Sequence, residues 1–408
     1  MLIRFESSSA MVEIPACPIF LNALRSAARD WPFEEVSGDA GAPSLRVEEV
    51  GGRYHVHDDG HEVTETTAVG GACLVMVEII ESCIEDAPKT LWLHCGSVLI
   101  NGRLVVFPSH SHAGKSTLIA RLAAAGYTVF GDDILPLTAD DGFGTALGLA
   151  PRLRLPLPSR ASAPFVAFVD GHRGATDGRY LFLDLGPEGL AARGRIAPLG
   201  AIVLLDRRAA GPASVGPAPR AVVLQTLVNQ NFTLGEAGME TLDRLHKVMD
   251  EVPCLTLQYS DLEDAIALVA RTFEAWPVDV GSILGGTGTF ARPPLTAAGD
   301  EDALLASAPP LRWSSNVIYA RAARVDLREV EGELFLAGSD DAIYHLNPVG
   351  AGVWRLLEEP ASRCEVTDVV AAAFPHVERE TIENDVTSLL AGLVAAGFVT
   401  PSRDQSSR

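Results

Sequence analysis

The alternation of apolar and polar positions in the middle of the chain predicts two strands, a tight turn and a helix. Two apolar runs flank the pair Asn101-Gly102, and this pair is the strongest short signal for a β-hairpin because both turn residues need positive φ. An alanine-rich segment over 118–125 follows and stops at Gly126, as a helix with a glycine beyond its carboxyl end does. The pattern therefore predicts a hairpin strand that leads through a short loop into a helix.

The loop between the strand and the helix has the residues of a phosphate-binding loop. Backbone N–H groups and a helix N-terminus at such a junction can hold a polyphosphate. The candidate nucleotide-binding residues run without a break through this loop: Ser109, His110, Ser111, His112, Ala113, Gly114, Lys115, Ser116 and Thr117.

Four positions of this loop have a definite chemical task. Gly114 lets the backbone approach the phosphates, and Lys115 places a cation on the β- and γ-phosphate oxygens. Ser116 offers a hydroxyl ligand to Mg²⁺, and Thr117 supports the first helical turn. Ser109 stands where the usual loop has its first glycine, so the turn there must avoid a conformation that only glycine adopts.

Two adjacent carboxylates follow soon after the loop. The short apolar run before Gly131 predicts a strand that ends in Asp132 and Asp133. Two neighbouring acids cannot both ionise cheaply in a dry site unless a cation lies between them, and Mg²⁺ on a nucleotide is the obvious candidate. One carboxylate would then hold the metal while the other accepts a proton from a hydroxyl nucleophile. We assign Asp132 as the base and Asp133 as the metal ligand, and the reverse assignment stays open.

The order of His94, the Gly-Lys-Ser-Thr loop and the Gly-Asp-Asp sequence resembles the core of HPr kinase/phosphorylase and its relatives, whose fold is shared with phosphoenolpyruvate carboxykinase. The resemblance covers roughly residues 89–275, with its specific motifs in 93–133. It implies an α/β fold with a mixed-sheet P-loop kinase core, ATP and Mg²⁺ as cofactors, and a catalytic set of Asp132, Asp133, His94 and Lys115. Ser116 and Asp133 are the implied metal ligands, and oligomers are common among relatives.

Phosphoryl transfer usually needs an arginine to stabilise charge in the transition state. Arg152 and Arg154 alternate in an extended segment and so lie on one face. Arg193 and Arg195 are further candidates. We expect Arg152 and Arg154 to contact phosphate, although an exposed charged edge is the simpler alternative.

The last segment of the chain, about 313–401, predicts a small separate module. A hairpin turns at Glu331-Gly332, a third strand covers 342–346, and Asn347-Pro348 begins the first of three helices. The second helix spans about 364–374, and the third begins near Arg379 with apolar residues at helical spacing. Three short strands and three helices predict an α+β winged-helix module.

This module resembles a PqqD-type peptide-recognition domain, on the sequence from Leu346 to Trp354 and on its closing Leu-Val-Ala-Ala-Gly-Phe-Val. Domains of that type bind the leader of a ribosomally made peptide, which adds as a strand beside the third strand and packs on the last helix. The implied surfaces are 342–346 and the polar flank of 381–395. A winged helix that binds DNA is the alternative, and the few Lys and Arg residues of these helices disfavour it.

Composition and charge limit the classes of partner. The chain has 408 residues and a net charge of −21, which disfavours nonspecific binding to nucleic acid because such binding needs a basic face. The six cysteines have no paired spacing, and no signal peptide or membrane span is evident. These features predict a cytoplasmic protein with reduced thiols and with neither nucleic acid nor membrane as a partner.

The predicted organisation is an N-terminal α+β lobe, a kinase domain, a linker, a peptide-recognition domain and a tail. Their bounds are 1–88, 89–275, 276–312, 313–401 and 402–408. Together the parts predict an ATP- and Mg²⁺-dependent serine/threonine kinase of a ribosomally synthesised precursor peptide, with lasso-type precursors as one class. The alternatives are a nucleotide-gated noncatalytic peptide chaperone, and a kinase of a carrier protein or a small molecule.

Overall fold

A computed structural model describes residues 1–29, 31–37, 42–58, 63–109, 113–233, 238–278, 317–338 and 342–403. The chain divides into two compact units, Met1–Gly235 with Arg244–Phe290 and Glu236–Asp243 with Ala291–Arg408. Three predicted loop residues, His110, Ser111 and His112, lie outside the described residues. So do most of the predicted linker and the end of the predicted tail.

The first unit opens with a six-stranded sheet and two helices that share one apolar core. The elements are β1 (Leu2–Phe5), β2 (Met11–Glu13), α1 (Pro18–Ala27), β3 (Phe33–Glu35), β4 (Leu45–Val50), β5 (Arg53–Asp58), β6 (Thr64–Thr66) and α2 (Ala68–Asp86). The strand order is β3-β1-β2-β4-β5-β6. Helix α2 begins where the Thr67 hydroxyl accepts a hydrogen bond from the Gly70 N–H, a side-chain cap that satisfies one of its free donors.

Residues 89–278 build a large mixed sheet with helices around it. The elements are β7 (Thr90–Leu93), β8 (Cys95–Ile100), β9 (Arg103–Pro108), α3 (Lys115–Ala124), β10 (Thr128–Gly131), β11 (Leu135–Thr138), β12 (Phe143–Thr145), β13 (Arg152–Arg154), α4 (Ala163–Gly171), β14 (Arg173–Thr176), β15 (Tyr180–Leu183), α5 (Gly186–Gly189), β16 (Ile196–Arg207), β17 (Ser214–Pro217), α6 (Arg220–Asn229), α7 (Gly238–Glu251), β18 (Cys254–Tyr259) and α8 (Leu262–Thr272).

The order of this sheet is β10-β8-β9-β16-β12-β11-β7, and β18 pairs with both β16 and β17. Strands β9, β16 and β18 run parallel, and the other pairings are antiparallel. The carboxyl ends of the three parallel strands therefore lie at one edge, where ligands of open α/β sheets commonly bind. A smaller sheet has the order β13-β15-β14. The mixed α/β class predicted from the sequence is confirmed.

The hairpin and helix predicted around the loop are both present. Asn101 and Gly102 have φ of 48° and 83° in the turn between β8 and β9. Helix α3 ends before Gly126, whose φ is 92°. Val105, Phe107, Leu118 and other buried apolar residues of β9 and α3 belong to one core cluster, which fixes the helix against the strand that leads into it.

The second unit contains two three-stranded sheets and three helices in its described carboxyl-terminal part. The elements are β19 (Val317–Arg321), β20 (Asp326–Val330), β21 (Glu333–Ala337), β22 (Ile343–Leu346), α9 (Pro348–Leu356), β23 (Ala361–Ser362), α10 (Arg363–Ala373), α11 (Arg379–Ala395) and β24 (Val399–Arg403). The sheets have the orders β20-β21-β22 and β23-β19-β24. The three helices and the meander agree with the prediction.

The predicted strand count for this module was too low. Strands β19, β23 and β24 were missed, because β19 pairs with segments far away in sequence and β23 has two residues. Neither feature leaves a local pattern. The predicted cap is present, since the Asn347 side chain accepts a hydrogen bond of 2.9 Å from the Gly350 N–H. In the described part of the chain, no helix combines the length and apolar character needed to cross a membrane.

Candidate active site

Strand register brings three separate parts of the sequence together. The partners across the strands are Cys95 with Pro108, Ser97 with Gly131, and Leu93 with Leu135. His94 lies between β7 and β8, Ser109 follows β9, and the acid pair lies between β10 and β11. The pairing of these strands therefore places the histidine, the start of the loop and the two carboxylates in one neighbourhood.

The described ends of the loop are held by the backbone and by a buried tyrosine. Gly114 is the N-cap of α3 with φ of 90°, a conformation that favours glycine, and its carbonyl accepts from the Leu118 N–H at 3.0 Å. The Tyr259 hydroxyl donates to the Ala113 carbonyl at 3.4 Å. Ser109 is buried, is absent from the residues with positive φ, and its Oγ has no hydrogen-bond partner among the described residues.

Lys115 is a buried cation at the first position of α3. Its side chain is 9% exposed, and its Nζ lies 3.6 Å from Asp133 Oδ1. The Nζ has no hydrogen-bond partner within the described ranges. Gly96 makes room for this turn, because a Cβ there would lie 2.6 Å from Ile119 Cγ1 and 3.1 Å from Lys115 Cγ. A buried ammonium group of this kind is suited to anionic oxygens.

Asp132 is almost fully buried beside the loop. Its Oδ2 accepts a hydrogen bond of 3.2 Å from the Arg152 N–H, and its Oδ1 has no hydrogen-bond partner in the described structure. Burial, followed by the neighbouring charge of Asp133, raises the pKa of Asp132 to about 7. The charge of Lys115 and the Ser116 hydroxyl oppose this rise. Asp132 can therefore exchange a proton near neutral pH.

Asp133 is the more exposed acid of the pair, with 53% of its side chain accessible. Partial burial raises its pKa, but the nearby His94 ring and the charges of Lys115 and Arg152 outweigh this and hold the pKa well below its usual range. His94 Nε2 lies 3.6 Å from Asp133 Oδ1. The His94 ring stacks on Phe232 with centroids 5.6 Å apart, and the His94 backbone N–H donates to the Gln230 carbonyl. Asp133 therefore stays deprotonated at neutral pH, as a carboxylate that binds a metal must be.

The glycine before the acids is required by the turn that carries them. A Cβ on Gly131 would lie 2.6 Å from the backbone oxygen of Ile134. A backbone atom cannot move aside in the way that the end of a flexible side chain can. This turn therefore has no space for a residue larger than glycine. The Gly-Asp-Asp sequence thus combines a steric requirement with the two candidate carboxylates.

The candidate arginines lie in different environments. Arg152 and Arg154 share one face, since both guanidinium groups lie over the Tyr180 ring, at 4.8 and 5.8 Å from its centroid. Arg152 also donates to Cys73 Sγ at 2.8 Å and lowers the pKa of Asp133, whereas Arg154 is exposed. Arg193 donates to Glu6 and lies over Trp31, and Arg195 lies over Phe130. Arg152 is the candidate that faces the acid pair.

Two cavities of about 490 Å³ each adjoin the loop and the acids. The first, here called the apolar cavity, is lined by Ala27, Cys73, Met76, Val77, Ile80, Glu81, Ile84, His94, Phe130, Gly131, Asp132, Asp133, Ile134, Leu147, Leu149, Ala150, Arg152, Phe182, Asn231, Phe232 and Thr233. The second, here called the arginine cavity, is lined by Gly114, Thr117, Pro158, Ser159, Arg160, Ala161, Arg207, Arg208, Ala209, Tyr259, Ser260, Asp261 and Leu262. The loop and α3 thus border one cavity, and the acids border the other.

Most of the described candidate residues lie together, and some neighbours were not foreseen. The residues brought together are His94, Ser109, Ala113, Gly114, Lys115, Ser116, Thr117, Asp132, Asp133 and Arg152. Sequence analysis missed Cys73, Phe232 and Tyr259. Tyr259 ends a parallel strand at the edge where the loop lies. Its position at the end of an apolar strand was the one sequence feature that could have indicated a place near the loop. Cys73 and Phe232 come from distant segments and had none.

Comparison with known proteins supports the carboxyl-terminal prediction. The family model for Coenzyme PQQ synthesis protein D (PqqD) matches residues 333–399, which confirms the predicted PqqD resemblance of this module. A comparison with curated proteins finds no match.

Two solved structures show partial similarity. One is TbiB1 in complex with the TbiA(beta) leader peptide, with 26% identity, a TM-score of 0.19, and coverage of 21% of this chain and 99% of that chain. The other is the Hpr(Ser) kinase/phosphatase from Coxiella burnetii, with 13% identity, a TM-score of 0.25, and coverage of 44% of this chain and 86% of that chain. At these TM-scores neither similarity establishes a fold for this chain.

Proposed function

We propose that the protein is an ATP- and Mg²⁺-dependent kinase of the HPr kinase-like P-loop type. Its substrate is a serine or threonine hydroxyl of a ribosomally synthesised precursor peptide. One observation carries the proposal: Lys115 Nζ and Asp132 Oδ1 are both buried and have no hydrogen-bond partner among the described residues. Lys115 begins α3, and Asp132 interacts with Ser116 in the first turn of that helix. Buried polar atoms are normally paired, so this arrangement fits a site that takes its partners from a nucleotide and its acceptor.

The residues present fit a nucleotide with Mg²⁺. Lys115 and the N–H groups of the first turn of α3 would hold phosphate oxygens, as the dipole of a helix N-terminus favours. Ser116 Oγ and the anionic Asp133 would hold Mg²⁺, which neutralises charge on the phosphate oxygens when bound. The arginine cavity, which Thr117 and Tyr259 line on the far side of the loop, would take the nucleoside.

Asp132 has the properties of the general base. Its pKa of about 7 lets it accept the proton of the attacking hydroxyl at neutral pH. The hydroxyl oxygen forms a bond to the γ-phosphorus, the bond from that phosphorus to the bridging oxygen breaks, and ADP leaves with the electron pair. His94 would hold Asp133 in place, and Arg152 would add positive charge near the transferred group. These environments favour Asp132 as base and Asp133 as metal ligand.

The PqqD-like module would recruit the precursor. Strand β22 (Ile343–Leu346) is an outer strand of its three-stranded sheet, so a leader could add beside it. The polar flank of α11 (Arg379–Ala395) would complete the surface. The match to the PqqD family model over residues 333–399 supports this role.

A lysine pair tests the nucleotide site. Lys115→Ala should reduce ATP-dependent phosphorylation of the precursor peptide by at least ~10²-fold, because it removes the buried cation from the transferred charge. Lys247→Ala is the matched control, since that lysine is about half exposed and bonds to Asp140. Phosphate incorporation and peptide affinity are measured for both variants. Full phosphorylation by Lys115→Ala would contradict the assignment, and unchanged peptide binding is expected throughout.

A further inference from the structure

We propose that the apolar cavity binds a large apolar side chain next to the phosphorylated hydroxyl residue of the acceptor peptide. This assignment rests on the proposed kinase function, because the cavity opens onto the same two carboxylates. It adds the chemical class of the acceptor, which the motifs of the loop and the acids do not specify.

The cavity adjoins the acid pair and is larger than a hydroxyl group needs. Asp132 and Asp133 are part of its wall. When the acceptor hydroxyl lies beside Asp132, the side chain of the next residue of the peptide therefore lies in this cavity. A volume of about 490 Å³ lies within the usual range of small-molecule pockets, ~300–1,000 Å³. An aromatic or large aliphatic side chain would fill space that serine or threonine leaves empty.

The wall of the cavity is apolar and open at one helix. Its buried members include Met76, Ile84, Leu147 and Phe182, each less than one-tenth exposed. Helix α2 also supplies Val77, which is 48% exposed, and the exposed Glu81. The buried residues therefore form the floor, and the two exposed residues mark a rim through which a side chain can enter from solvent.

The charged groups of the cavity lie mainly around the acid pair. Asp132 accepts a hydrogen bond from the Arg152 backbone N–H, and His94 lies 3.6 Å from Asp133. The Arg152 guanidinium donates to Cys73 Sγ, and its charge acts on Asp133. Among the described lining residues, the remaining charged group is Glu81, at the rim. A charged acceptor side chain would lose its hydration on this apolar floor without gaining a partner, whereas an apolar one gains by leaving water.

Methionine methyl NMR on the full chain reports binding without requiring catalysis. The chain has five methionines, and Met76 lies on the cavity floor, so its ¹³C-methyl signal can be assigned with Met76→Leu, a volume-conserving change. The probes are N-acetyl-seryl-phenylalanine amide and N-acetyl-phenylalanyl-serine amide. The same dipeptides with alanine or aspartate in place of phenylalanine are the comparison.

We expect the phenylalanine probes to shift the Met76 signal saturably and the aspartate probes to leave it unchanged. Val77→Asp should weaken the phenylalanine probes at least tenfold. Val50→Asp, a change at a valine that is 55% exposed on β4 and outside the cavity lining, should not. An unmoved Met76 signal, an equal response to phenylalanine and aspartate, or an unaffected Val77→Asp variant would each overturn the proposal.

Phosphoryl transfer to the same probes separates this proposal from the proposed kinase function. If serine is phosphorylated with the same kcat/KM whatever its neighbour, the kinase assignment stands and the apolar subsite is wrong. If the phenylalanine probes shift the Met76 signal but no probe accepts phosphate on its serine, the cavity still selects apolar side chains. The kinase assignment, and with it the link to a phosphorylated residue, is then wrong.

Discussion

Asp132 and Asp133 show how two identical side chains acquire different properties from their surroundings. Asp132 is 4% exposed and has a raised pKa, whereas Asp133 is half exposed and has a lowered one. Desolvation governs the first carboxylate, and the nearby His94, Lys115 and Arg152 govern the second. Paired groups whose environments separate their pKa values are typical of acid–base sites.

The raised pKa of Asp132 makes protein stability depend on pH. Its folded pKa of about 7 exceeds its ordinary value of 3.8, so the folded state holds the proton more tightly than the unfolded state. The contribution of this group to stability is therefore fullest below about pH 4 and is lost as pH rises towards 7. Since one pKa unit corresponds to about 1.4 kcal/mol, the loss above pH 7 is on the order of a few kcal/mol.

Asp132→Asn should remove this pH dependence. The variant is expected to melt at a higher temperature than the parent protein at pH 8, with a difference that shrinks as pH falls from 7 to 4. Thermal melts followed by fluorescence across this range measure it. Asp140→Asn is the matched control, because the Asp140 side chain is 99% exposed. A pH-independent difference between Asp132→Asn and the parent would show that Asp132 is not buried as described.

At the scale of elements, the turn between β10 and β11 depends on Gly131. Gly131→Ala should displace the acid-bearing turn, because its Cβ would meet the Ile134 backbone oxygen at 2.6 Å. We expect a loss of stability of roughly 1–3 kcal/mol, the usual range for overpacking, together with loss of phosphoryl transfer. Urea unfolding and transfer assays measure the two effects.

The control for this prediction is Gly171→Ala at the end of α4. A Cβ at Gly171 meets nothing within 4 Å, so that variant should retain both stability and activity. Equal behaviour of Gly131→Ala and Gly171→Ala would contradict the steric account of the turn.

The sequence predicted those elements whose signals are local. The Asn101-Gly102 turn, the Asn347 cap and the apolar spacing of α11 each lie within a few residues, and the structure has all three. Pairings between distant segments could not be foreseen in this way. Strand β19 pairs with β24, which lies at the other end of the module in sequence. Phe232 follows α6 in the sequence and stacks on the distant His94.

The candidate site follows the same division. The loop and the acid pair were readable because phosphate binding restricts residue type at fixed spacing. The two cavities depend on how helices and strands pack, so their linings had no signature in the sequence. The separation of Arg152 from Arg154 likewise required the structure, since alternation puts both on one face and only burial distinguishes them.

At the scale of the whole molecule, one chain combines a candidate phosphoryl-transfer site with a PqqD-like module. Joining a catalytic site to a recruitment site raises the effective concentration of a bound substrate at the catalytic site. The overall affinity can rise by ~10²–10⁴-fold as a result. The net charge of −21 also disfavours nucleic acid as the recruited partner. We therefore expect the leader to lower KM and to contribute little to the chemical step.

Leader competition tests this division of labour in the intact chain. Free leader peptide should inhibit phosphorylation of the complete precursor while leaving phosphorylation of a leaderless core peptide unchanged. The leaderless peptide should show a KM raised ~10²-fold or more at similar kcat. A scrambled leader is the control. Equal inhibition by the leader and its scrambled form would contradict recruitment by the PqqD-like module.

The most direct test of the kinase assignment is intact-mass spectrometry of a candidate precursor peptide, such as one whose gene adjoins the gene for this chain, after incubation with the protein, ATP and Mg²⁺. We expect a gain of one or more phosphate groups with the parent protein and none with Asp132→Asn. A peptide that binds but gains no phosphate would contradict the kinase assignment and favour a nucleotide-gated chaperone. A phosphate gain that Asp132→Asn retains in full would contradict the role of Asp132 as the base.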